Sequence, residues 1–472
     1  MLISLWMRIL REKKSGFPRS MKFLALSGIL ITLVFPACLS WGQGRKAERH
    51  VVVISVDGMC ASWYRSPAPG LRIPNILRLK NQGSFAEAVE GVYPTVTYPS
   101  HTTIVTGRVP AEHGIYTNVT SREWGKNIGD WFWFSKSIKV ATLWDEARRA
   151  HLTTAAVSWP VTAGAPIDWD FPEIWDPAKG ELMDFNLIAR YSAPGLLQEA
   201  MTALHLPQPG MDSDAIRTHV AIFLLKKHKP NLLLLHLDDL DHFEHQAGPE
   251  SQLARQTLER IDGWIGEILG AVKQAGLSQT TDVFIVSDHG FLPTERIIYP
   301  NVLLAKAGLL VLDEKGEVTG GKVFTISNGG SFFIYWPGGQ NLRSEVSAAL
   351  KPLFDQGLIW AEFDRAALKD LGADPGIQMA LDPTTGTMFG SRATGDAVVP
   401  MKKPGGTHGY FPYRKGLEAS FIAWGPGIRS GVDLNRIRMT AVGPTLLKAM
   451  GISDPHFGDE AALSGIFEAD KR

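Results

Sequence analysis

The sequence predicts an α/β fold, in which a doubly wound, mostly parallel sheet is flanked by helices. Three continuous apolar runs, within residues 50–57, 231–238 and 282–288, are typical of strands buried on both faces. Residues 214–228 and 251–275 carry apolar side chains at helical spacing. Strands that alternate with helices form parallel sheets.

The composition is that of a globular protein. Of the 472 residues, 44% are hydrophobic and 20% are charged, which excludes a disordered, collagen-like or coiled-coil chain. Basic and acidic residues number 48 each, so the formal net charge is zero and we expect no binding to nucleic-acid duplexes. The two cysteines, Cys38 and Cys60, cannot form a disulfide framework.

The amino-terminal segment has the pattern of a signal peptide. Residues 23–35 form an apolar run that follows several basic residues and is too short to span a bilayer comfortably. We predict a signal peptide at residues 1–42 and export of the mature chain, without a transmembrane domain, to a bacterial periplasm or the extracellular space. A lipoprotein site at Cys38 and an uncleaved amino-terminal anchor are the alternatives.

The pattern changes between residues 295 and 400, where glycine and proline are frequent. Strand-like pieces at 321–326 and 331–335 are mixed there with a helical piece at 342–354. We therefore predict a catalytic core at 43–294, an inserted cap subdomain at 295–403, and a return to the core at 404–472. The returning part contains a predicted strand at 419–424 and a predicted helix at 439–450.

Acidic side chains stand at or just after the ends of the predicted strands, and histidines accompany them. Ligands of parallel sheets bind at the carboxyl ends of the strands. Carboxylate oxygens and imidazole nitrogens are zinc ligands, and this sequence offers three for each of two ions: Asp57, Asp241, His245, Asp288, His289 and His408. Two metal ions about 4 Å apart suit an in-line displacement at phosphorus. The alternative is that each aspartate caps a helix or turn.

Residues 94–107 combine a turn with a short helix that Gly107 ends, and they are rich in hydroxyl groups. A hydroxyl bound to a metal ion loses its proton easily and becomes a nucleophile. Thr97 would stand at the amino terminus of this helix, where free N–H groups favour phosphate. Spacing alone does not choose among the hydroxyls of Thr95, Thr97, Ser100, Thr102 and Thr103.

Other polar residues near these segments have more ordinary interpretations. His236 lies inside a strand and is expected to be a core residue, while His242 has the wrong neighbours for either metal ion. We expect turn contacts or contacts behind the ligands for Asp238 and Asp239, and local hydrogen bonds for His101 and His113.

The ordered motifs resemble those of the nucleotide pyrophosphatase/phosphodiesterase family, within the alkaline phosphatase superfamily. The resemblance runs from about residue 50 to residue 467. Its motifs are Asp57-Gly58, TYPSH at 97–101, Thr106-Gly107, HGI at 113–115, Asp241 with His245 and Gly248-Pro249, SDHG at 287–290, and GTHGY at 406–410.

This resemblance implies a site with two zinc ions and a covalent phospho-threonine at Thr97, which lies between the ions. It implies two ligand groups, one of Asp241, His245 and His408 and the other of Asp57, Asp288 and His289. Asn118 matches an asparagine that contacts a non-bridging phosphate oxygen, and Tyr98 matches an aromatic wall for a nucleobase.

The function implied is hydrolysis of phosphodiester or pyrophosphate bonds in small, nucleotide-type substrates. A phosphomonoesterase with the same metal site is the alternative, and a phosphonate hydrolase or a non-catalytic binding protein is less favoured. A sulfatase is disfavoured, because Thr97 cannot become formylglycine and no arginine follows Ser100.

Three positions depart from the family pattern: Ser100 replaces asparagine, Glu244 replaces glycine, and Asp239-Leu240 replaces Glu-Pro. We expect Glu244 to be a solvated loop charge. The aromatic residues of the segment 121–134 would either stack a base or pack the cap onto the core.

Overall fold

A computed structural model describes residues 49–120, 131–176, 183–204, 213–336 and 340–469. The predicted signal peptide, Cys38 and Trp124 of the aromatic segment lie outside the described residues. Within the described ranges, no helix combines the length and the apolar character that crossing a membrane requires.

The strands are short, as is usual for an α/β protein. In chain order they are β1 (His50–Val56), β2 (Ser84–Phe85), β3 (Ala88–Glu90), β4 (Thr154–Val157), β5 (Trp169–Phe171), β6 (Leu232–Leu237), β7 (Thr281–Val286), β8 (Leu292–Ile298), β9 (Leu310–Leu312), β10 (Val318–Gly321), β11 (Phe324–Ser327), β12 (Phe332–Tyr335), β13 (Ile359–Asp364), β14 (Met379–Pro383), β15 (Gly386–Phe389), β16 (Val398–Thr407), β17 (Phe421–Trp424), β18 (Val432–Asp433) and β19 (Arg436–Arg438).

Helices occupy much of the remaining chain. They are α1 (Ser62–Arg65), α2 (Pro74–Gln82), α3 (Thr97–Thr106), α4 (Pro110–His113), α5 (Leu143–Arg149), α6 (Phe185–Tyr191), α7 (Leu196–Leu204), α8 (Ser213–Lys227), α9 (Asp239–Ala247), α10 (Gln252–Gln274), α11 (Pro300–Lys306), α12 (Arg343–Asp355), α13 (Arg365–Asp370) and α14 (Val442–Ala449).

The central sheet has the strand order β18-β2-β17-β7-β1-β6-β4-β5. Its middle strands are parallel, because β1 pairs in parallel with both β6 and β7, and β4 pairs in parallel with β5 and β6. Only β17 runs antiparallel to its neighbours β7 and β2. The predicted fold class, a mostly parallel sheet flanked by helices, is confirmed.

The two faces of β1 explain why its sequence is continuously apolar. Val52 and Ile54 belong to an apolar layer with residues of α8 and α10, whereas Val51 and Val53 belong to a layer with residues of α3, α5 and α14. Alternate side chains of a strand point to opposite faces, so a strand covered by helices on both sides must be apolar at every position.

Residues after 290 build further sheets beside the central one. Strands β11-β12-β14-β13 form a four-stranded antiparallel sheet, and β15-β8-β16 form a three-stranded sheet. A separate apolar cluster joins β12 and β14 to α12, although this region lies in the same compact unit as the central sheet. The boundaries 295 and 403 of the cap subdomain stay a prediction.

Two predicted elements differ in detail from the observed ones. The strand predicted at 321–326 is two strands, because β10 ends at Gly321. Gly321 has a positive φ of 149°, and a Cβ there would lie only 2.4 Å from the carbonyl oxygen of Leu309. The helix predicted at 439–450 begins with a 3-10 turn at Met439–Ala441 before α14.

We predict that Asp170 makes the stability of the fold depend on pH. This side chain of β5 is only 3% exposed, and burial, weakly opposed by the Thr162 hydroxyl, raises its pKa well above the ordinary 3.8. The folded state then holds a proton that the unfolded state has lost, so stability decreases as pH rises above about 4, by up to about 1.4 kcal/mol per pH unit.

Asp170→Asn removes this dependence because asparagine is neutral at every pH. We expect the thermal midpoint of the wild type to fall more between pH 5 and pH 8 than that of Asp170→Asn. The same replacement at the exposed Asp370 should leave the wild-type fall unchanged. Equal falls in wild type and Asp170→Asn would contradict the prediction.

Candidate active site

The carboxyl ends of several strands bring the predicted ligands to one place. Asp57 directly follows β1, Asp288 and His289 follow β7, and His408 follows β16. Asp241 and His245 lie four residues apart on α9, which begins just after β6. Residues four apart lie on the same side of a helix, so both side chains reach the site from one element.

The six predicted ligands form two overlapping groups. The ligand atoms of Asp57, Asp288 and His289 lie within 4.8 Å of one another, as do those of Asp241, His289 and His408. Nε2 of His289 is 3.3 Å from Oδ1 of Asp57 and 3.1 Å from Oδ2 of Asp288. His245 approaches the second group, since its Nε2 is 3.5 Å from Oδ1 of Asp241, as is Nε2 of His408.

The donor atoms of the first group fit a divalent cation. Among the described residues, Oδ1 of Asp57, Oδ2 of Asp288 and Nε2 of His289 are buried and make no hydrogen bond. Buried, unpaired carboxylates and neutral imidazoles are costly unless a cation compensates them, and together they are a zinc-type donor set.

The ionisation of these groups follows from their burial. Burial, followed by repulsion from Asp241, raises the pKa of Asp57 to about 7, and burial also raises the pKa of Asp288 well above its ordinary value. Burial, and to a smaller extent the nearby His245, lowers the pKa of His408 to about 3. Burial also lowers the pKa of His289 well below its ordinary value, so His289 and His408 are neutral, as metal ligands must be, whereas the carboxylates need a positive charge to ionise easily.

Backbone carbonyl groups orient two of the histidines. Nδ1 of His245 is 3.0 Å from the carbonyl oxygen of Gly406, and Nδ1 of His408 is 2.9 Å from that of Thr95. Each contact fixes the ring so that Nε2 faces Asp241. Such contacts behind a ligand are usual in metal sites.

The structure separates the five hydroxyl groups that compete as nucleophile. Thr97 begins α3 after the extended residue Val96, and it lines the same cavity as four of the six predicted ligands. The other four hydroxyls do not line this cavity. Thr95 is bonded to Tyr410 and Gly409, Thr102 to Tyr98 and Thr103 to His113, and Ser100 is buried. The geometry therefore favours Thr97.

Asn118 and Tyr98 lie beside Thr97 and line the same cavity. The backbone N–H of Tyr98 donates to Oδ1 of Asn118 at 3.0 Å, and Pro99 has no N–H. The expectation that free N–H groups of α3 bind phosphate is therefore wrong for these two positions. The NH₂ group of Asn118 is the donor that remains for a phosphate oxygen.

The interpretation of Glu244 as a solvated loop charge is wrong. Glu244 lies on α9 and is completely buried, with Oε2 only 2.8 Å from where a Cβ on Gly58 would stand. Burial, followed by repulsion from Asp241, raises its pKa well above the ordinary value. One feature of the sequence could have indicated this burial: the apolar residue Leu240 lies four positions earlier, on the same face of the helix.

His236 is buried in β6, as expected, but it is more than a core residue. Its Nε2 is 3.0 Å from Oδ2 of Asp57, and its Nδ1 is 2.8 Å from Oε2 of Glu173. Burial alone would lower the pKa of His236, but the bonds to Asp57 and Glu173 outweigh it and raise that pKa well above its ordinary value. Sequence reasoning gave Glu173 no role, and nothing in its local sequence marks it.

The remaining polar residues mostly make contacts around the site. Nε2 of His101 is 2.8 Å from Oγ of Ser55, and its Nδ1 is 2.9 Å from the carbonyl oxygen of Thr97. The carboxylates of Asp214, Asp238 and Asp239 also cluster, but the guanidinium of Arg217 forms ion pairs with Asp214 and Asp238, so a positive charge is already present there.

The cavity beside the ligands has a volume of about 930 Å³. Its walls combine polar groups with large apolar side chains, including Trp131, Trp175, Phe185 and Phe243. Of the described part of the predicted aromatic segment, residues 131–134 pack against the core, and Trp131 also lines the cavity. Stacking of a base on this segment stays a prediction.

Comparison with known proteins places this arrangement among phosphodiesterases. A family model described as type I phosphodiesterase/nucleotide pyrophosphatase matches residues 51–356. Ectonucleotide pyrophosphatase/phosphodiesterase family member 1 of Homo sapiens is 23% identical over 438 residues, which cover 88% of this chain and 42% of that protein. Family member 5 of Homo sapiens is 27% identical over 305 residues, covering 62% of this chain and 55% of that protein.

Solved structures of the same group share the fold. Human ectonucleotide pyrophosphatase/phosphodiesterase 5 is 21% identical, with a TM-score of 0.63 and coverage of 89% of this chain and 100% of that one. An inactive form of its murine counterpart, in complex with AMP, is 20% identical with a TM-score of 0.64 and the same coverage of both chains.

The chain spans less than half the length of the family member 1 proteins that it matches. The family model nevertheless covers well over half of the chain, including the segments that carry Asp57, Thr97, Asp241 and Asp288. The chain therefore belongs to the type I phosphodiesterase/nucleotide pyrophosphatase family.

Proposed function

We propose that this protein is a two-zinc hydrolase that cleaves phosphodiester or pyrophosphate bonds in small, nucleotide-type substrates through a covalent phospho-threonine at Thr97. The observation that carries the proposal is the position of Thr97, the only one of five neighbouring hydroxyls that lines the cavity with the ligand residues. The names of the relatives, which are nucleotide pyrophosphatases and phosphodiesterases, support the same activity.

Six residues would hold the two ions: Asp241, His245 and His408 at one position, and Asp57, Asp288 and His289 at the other. The bound ions would supply Lewis-acid stabilisation of the attacking and leaving oxygens. The mixed oxygen and nitrogen donors suit zinc, and they also suit manganese or cobalt.

In the first step, Oγ1 of Thr97 attacks phosphorus and gives its proton to solvent, while the bond from phosphorus to the leaving oxygen breaks in line and the leaving oxygen takes up a proton from solvent. The NH₂ group of Asn118 donates to a non-bridging oxygen, where negative charge increases in the transition state. In the second step, the oxygen of a water molecule bonds to phosphorus as the bond from phosphorus to Oγ1 breaks, and a proton lost by that water passes through solvent to Oγ1 of Thr97.

The charges along the cavity favour a diester over a monoester. A monoester brings two negative charges and needs cationic groups at its terminal oxygens. Among the described lining residues there is no lysine, and the two arginines are Arg217, which is ion-paired with Asp214 and Asp238, and Arg260. Glu173 and Asp238 line the same cavity and are paired with His236 and Arg217, so these two cationic side chains are not available to the second charge of a monoester.

The place of action follows from the amino-terminal segment. The signal-peptide pattern and the relatives, several of which are named ectonucleotide enzymes or venom phosphodiesterase, support export to the periplasm or the extracellular space. The proposed partner of the site is a small phosphodiester or nucleotide molecule.

Replacing Thr97 tests the nucleophile. Thr97→Ala removes the attacking oxygen, so we expect kcat for a p-nitrophenyl phosphodiester to fall by about 1,000-fold or more. Thr97→Ser keeps a hydroxyl and should retain measurable activity. Thr102→Ala is the matched control, because the Thr102 hydroxyl bonds only to the backbone of Tyr98 on the same helix. Wild-type turnover in Thr97→Ala would reject the assignment.

A comparison of substrates tests the charge argument. With zinc-loaded protein, we expect kcat/KM for p-nitrophenyl-thymidine monophosphate to exceed that for p-nitrophenyl phosphate by about 100-fold or more, roughly 2.7 kcal/mol. Steady-state kinetics on both substrates at one pH and one zinc concentration measures the ratio. A preference for p-nitrophenyl phosphate would keep the metal site but favour the phosphomonoesterase.

A further inference from the structure

A chain of hydrogen bonds connects a metal-ligand candidate to the wall of the cavity. It passes from Oδ2 of Asp57 to His236 over 3.0 Å and from His236 to Oε2 of Glu173 over 2.8 Å. The hydroxyl of Tyr98 then donates to Oε1 of Glu173 at 2.7 Å. All four side chains are more than nine-tenths buried, and they come from separate parts of the chain.

At one end, these hydrogen bonds determine which oxygen of Asp57 faces the predicted metal position. Oδ2 is engaged by His236, whereas Oδ1 lies 3.3 Å from Nε2 of His289 and makes no hydrogen bond. His236 therefore fixes the rotation of the carboxylate, and Asp57 presents a single oxygen. Partners behind a ligand commonly set its orientation in this way.

At the other end, the same series of hydrogen bonds holds the ring of Tyr98 beside Thr97. Glu173 holds the hydroxyl of Tyr98, and the ring packs edge-on against Trp131 with centroids 5.2 Å apart. The backbone N–H of Tyr98 is bonded to Asn118. Both carboxylate oxygens of Glu173 are thus used, one toward His236 and one toward Tyr98.

The remaining contact of His236 supports a role in orientation. Its Nδ1 also lies 3.1 Å from the carbonyl oxygen of Ser158, so the neighbours of both ring nitrogens are oxygen acceptors. Every other side chain of β6 is leucine. Since leucine would pack in such a strand without a polar cost, the histidine must be balanced by these bonds.

We propose that His236 and Glu173 are positioning residues, which orient Asp57 for its metal ion and the Tyr98 ring for the substrate. The Tyr98 part rests on the proposed function, whereas the Asp57 part requires only metal binding. Replacing His236 should therefore change metal affinity, and replacing the Tyr98 hydroxyl should change KM.

The first test measures zinc binding without turnover. Zinc affinity is determined by competition with a chromophoric chelator for wild type, His236→Leu and His236→Gln. His236→Leu removes both bonds and should weaken one of two zinc sites by about 10-fold or more. Glutamine can place an amide N–H near the former Nε2 position, so His236→Gln should recover most of that loss.

A matched variant controls for loss of a buried histidine. His50 lies at the opposite end of β1, is buried, and bonds through Nδ1 to the carbonyl oxygen of Pro230. His50→Leu should leave both zinc affinities at the wild-type values. Thermal unfolding without metal reports whether each variant is folded, and His236→Gln keeps the test decisive if His236→Leu does not fold.

The second test separates KM from kcat. Tyr98→Phe and Glu173→Gln are compared with wild type on p-nitrophenyl-thymidine monophosphate. Tyr98→Phe should raise KM several-fold, with kcat within about 2-fold and zinc affinity unchanged. Glu173→Gln should raise KM and also weaken zinc, because it contacts both Tyr98 and His236.

Two results would overturn the proposal. Wild-type zinc affinity in folded His236→Leu would show that Asp57 needs no partner behind it, and equal losses in His236→Leu and His236→Gln would indicate packing alone. A wild type that hydrolyses no diester but has His236-dependent zinc affinity would reject the proposed function and retain the role of His236.

Discussion

The burial of several carboxylates at one edge of the central sheet is the constraint on which the rest of the site depends. Asp57 and Asp288 are buried at the ends of neighbouring strands, Asp241 faces them from α9, and Glu244 is buried close by. Water cannot screen these charges, so the folded chain tolerates them only through protonation or a bound cation. The pKa of Asp57, raised to about 7 by burial and then by Asp241, records this conflict.

The rest of the site can be understood as a response to that concentration of negative charge. Histidines complete the candidate donor sets, the carbonyl groups of Gly406 and Thr95 orient two of them, and His236 occupies the second oxygen of Asp57. Glu244 adds another buried carboxyl group close to Asp57 and Asp241, which strengthens the demand for protonation or a bound cation.

Much of this arrangement could be predicted from the sequence because its signals are local. Apolar runs marked β1, β6 and β7, and the aspartates that follow them had to meet, since carboxyl ends of parallel strands share an edge. The choice of Thr97 among five hydroxyls required the family resemblance. The spacing of the residues does not tell which of these side chains points toward the site. The structure adds the cavity as a second criterion.

The contacts that sequence reasoning missed depend on distant partners. Glu173 lies 63 positions from His236, in a segment with no recognisable pattern, so their hydrogen bond could not be inferred locally. Glu244 is not the solvated loop charge that we expected, because it lies on α9 and shares the buried face of that helix with Leu240.

The most direct test of the account is the location of zinc by anomalous X-ray diffraction from crystals soaked in zinc. We expect two peaks about 4 Å apart on either side of Oγ1 of Thr97, with ligand distances of about 2.0–2.2 Å. One peak should contact Asp57, Asp288 and His289, and the other Asp241, His245 and His408. A single peak, or peaks at Asp214, Asp238 and Asp239, would contradict the two-metal site.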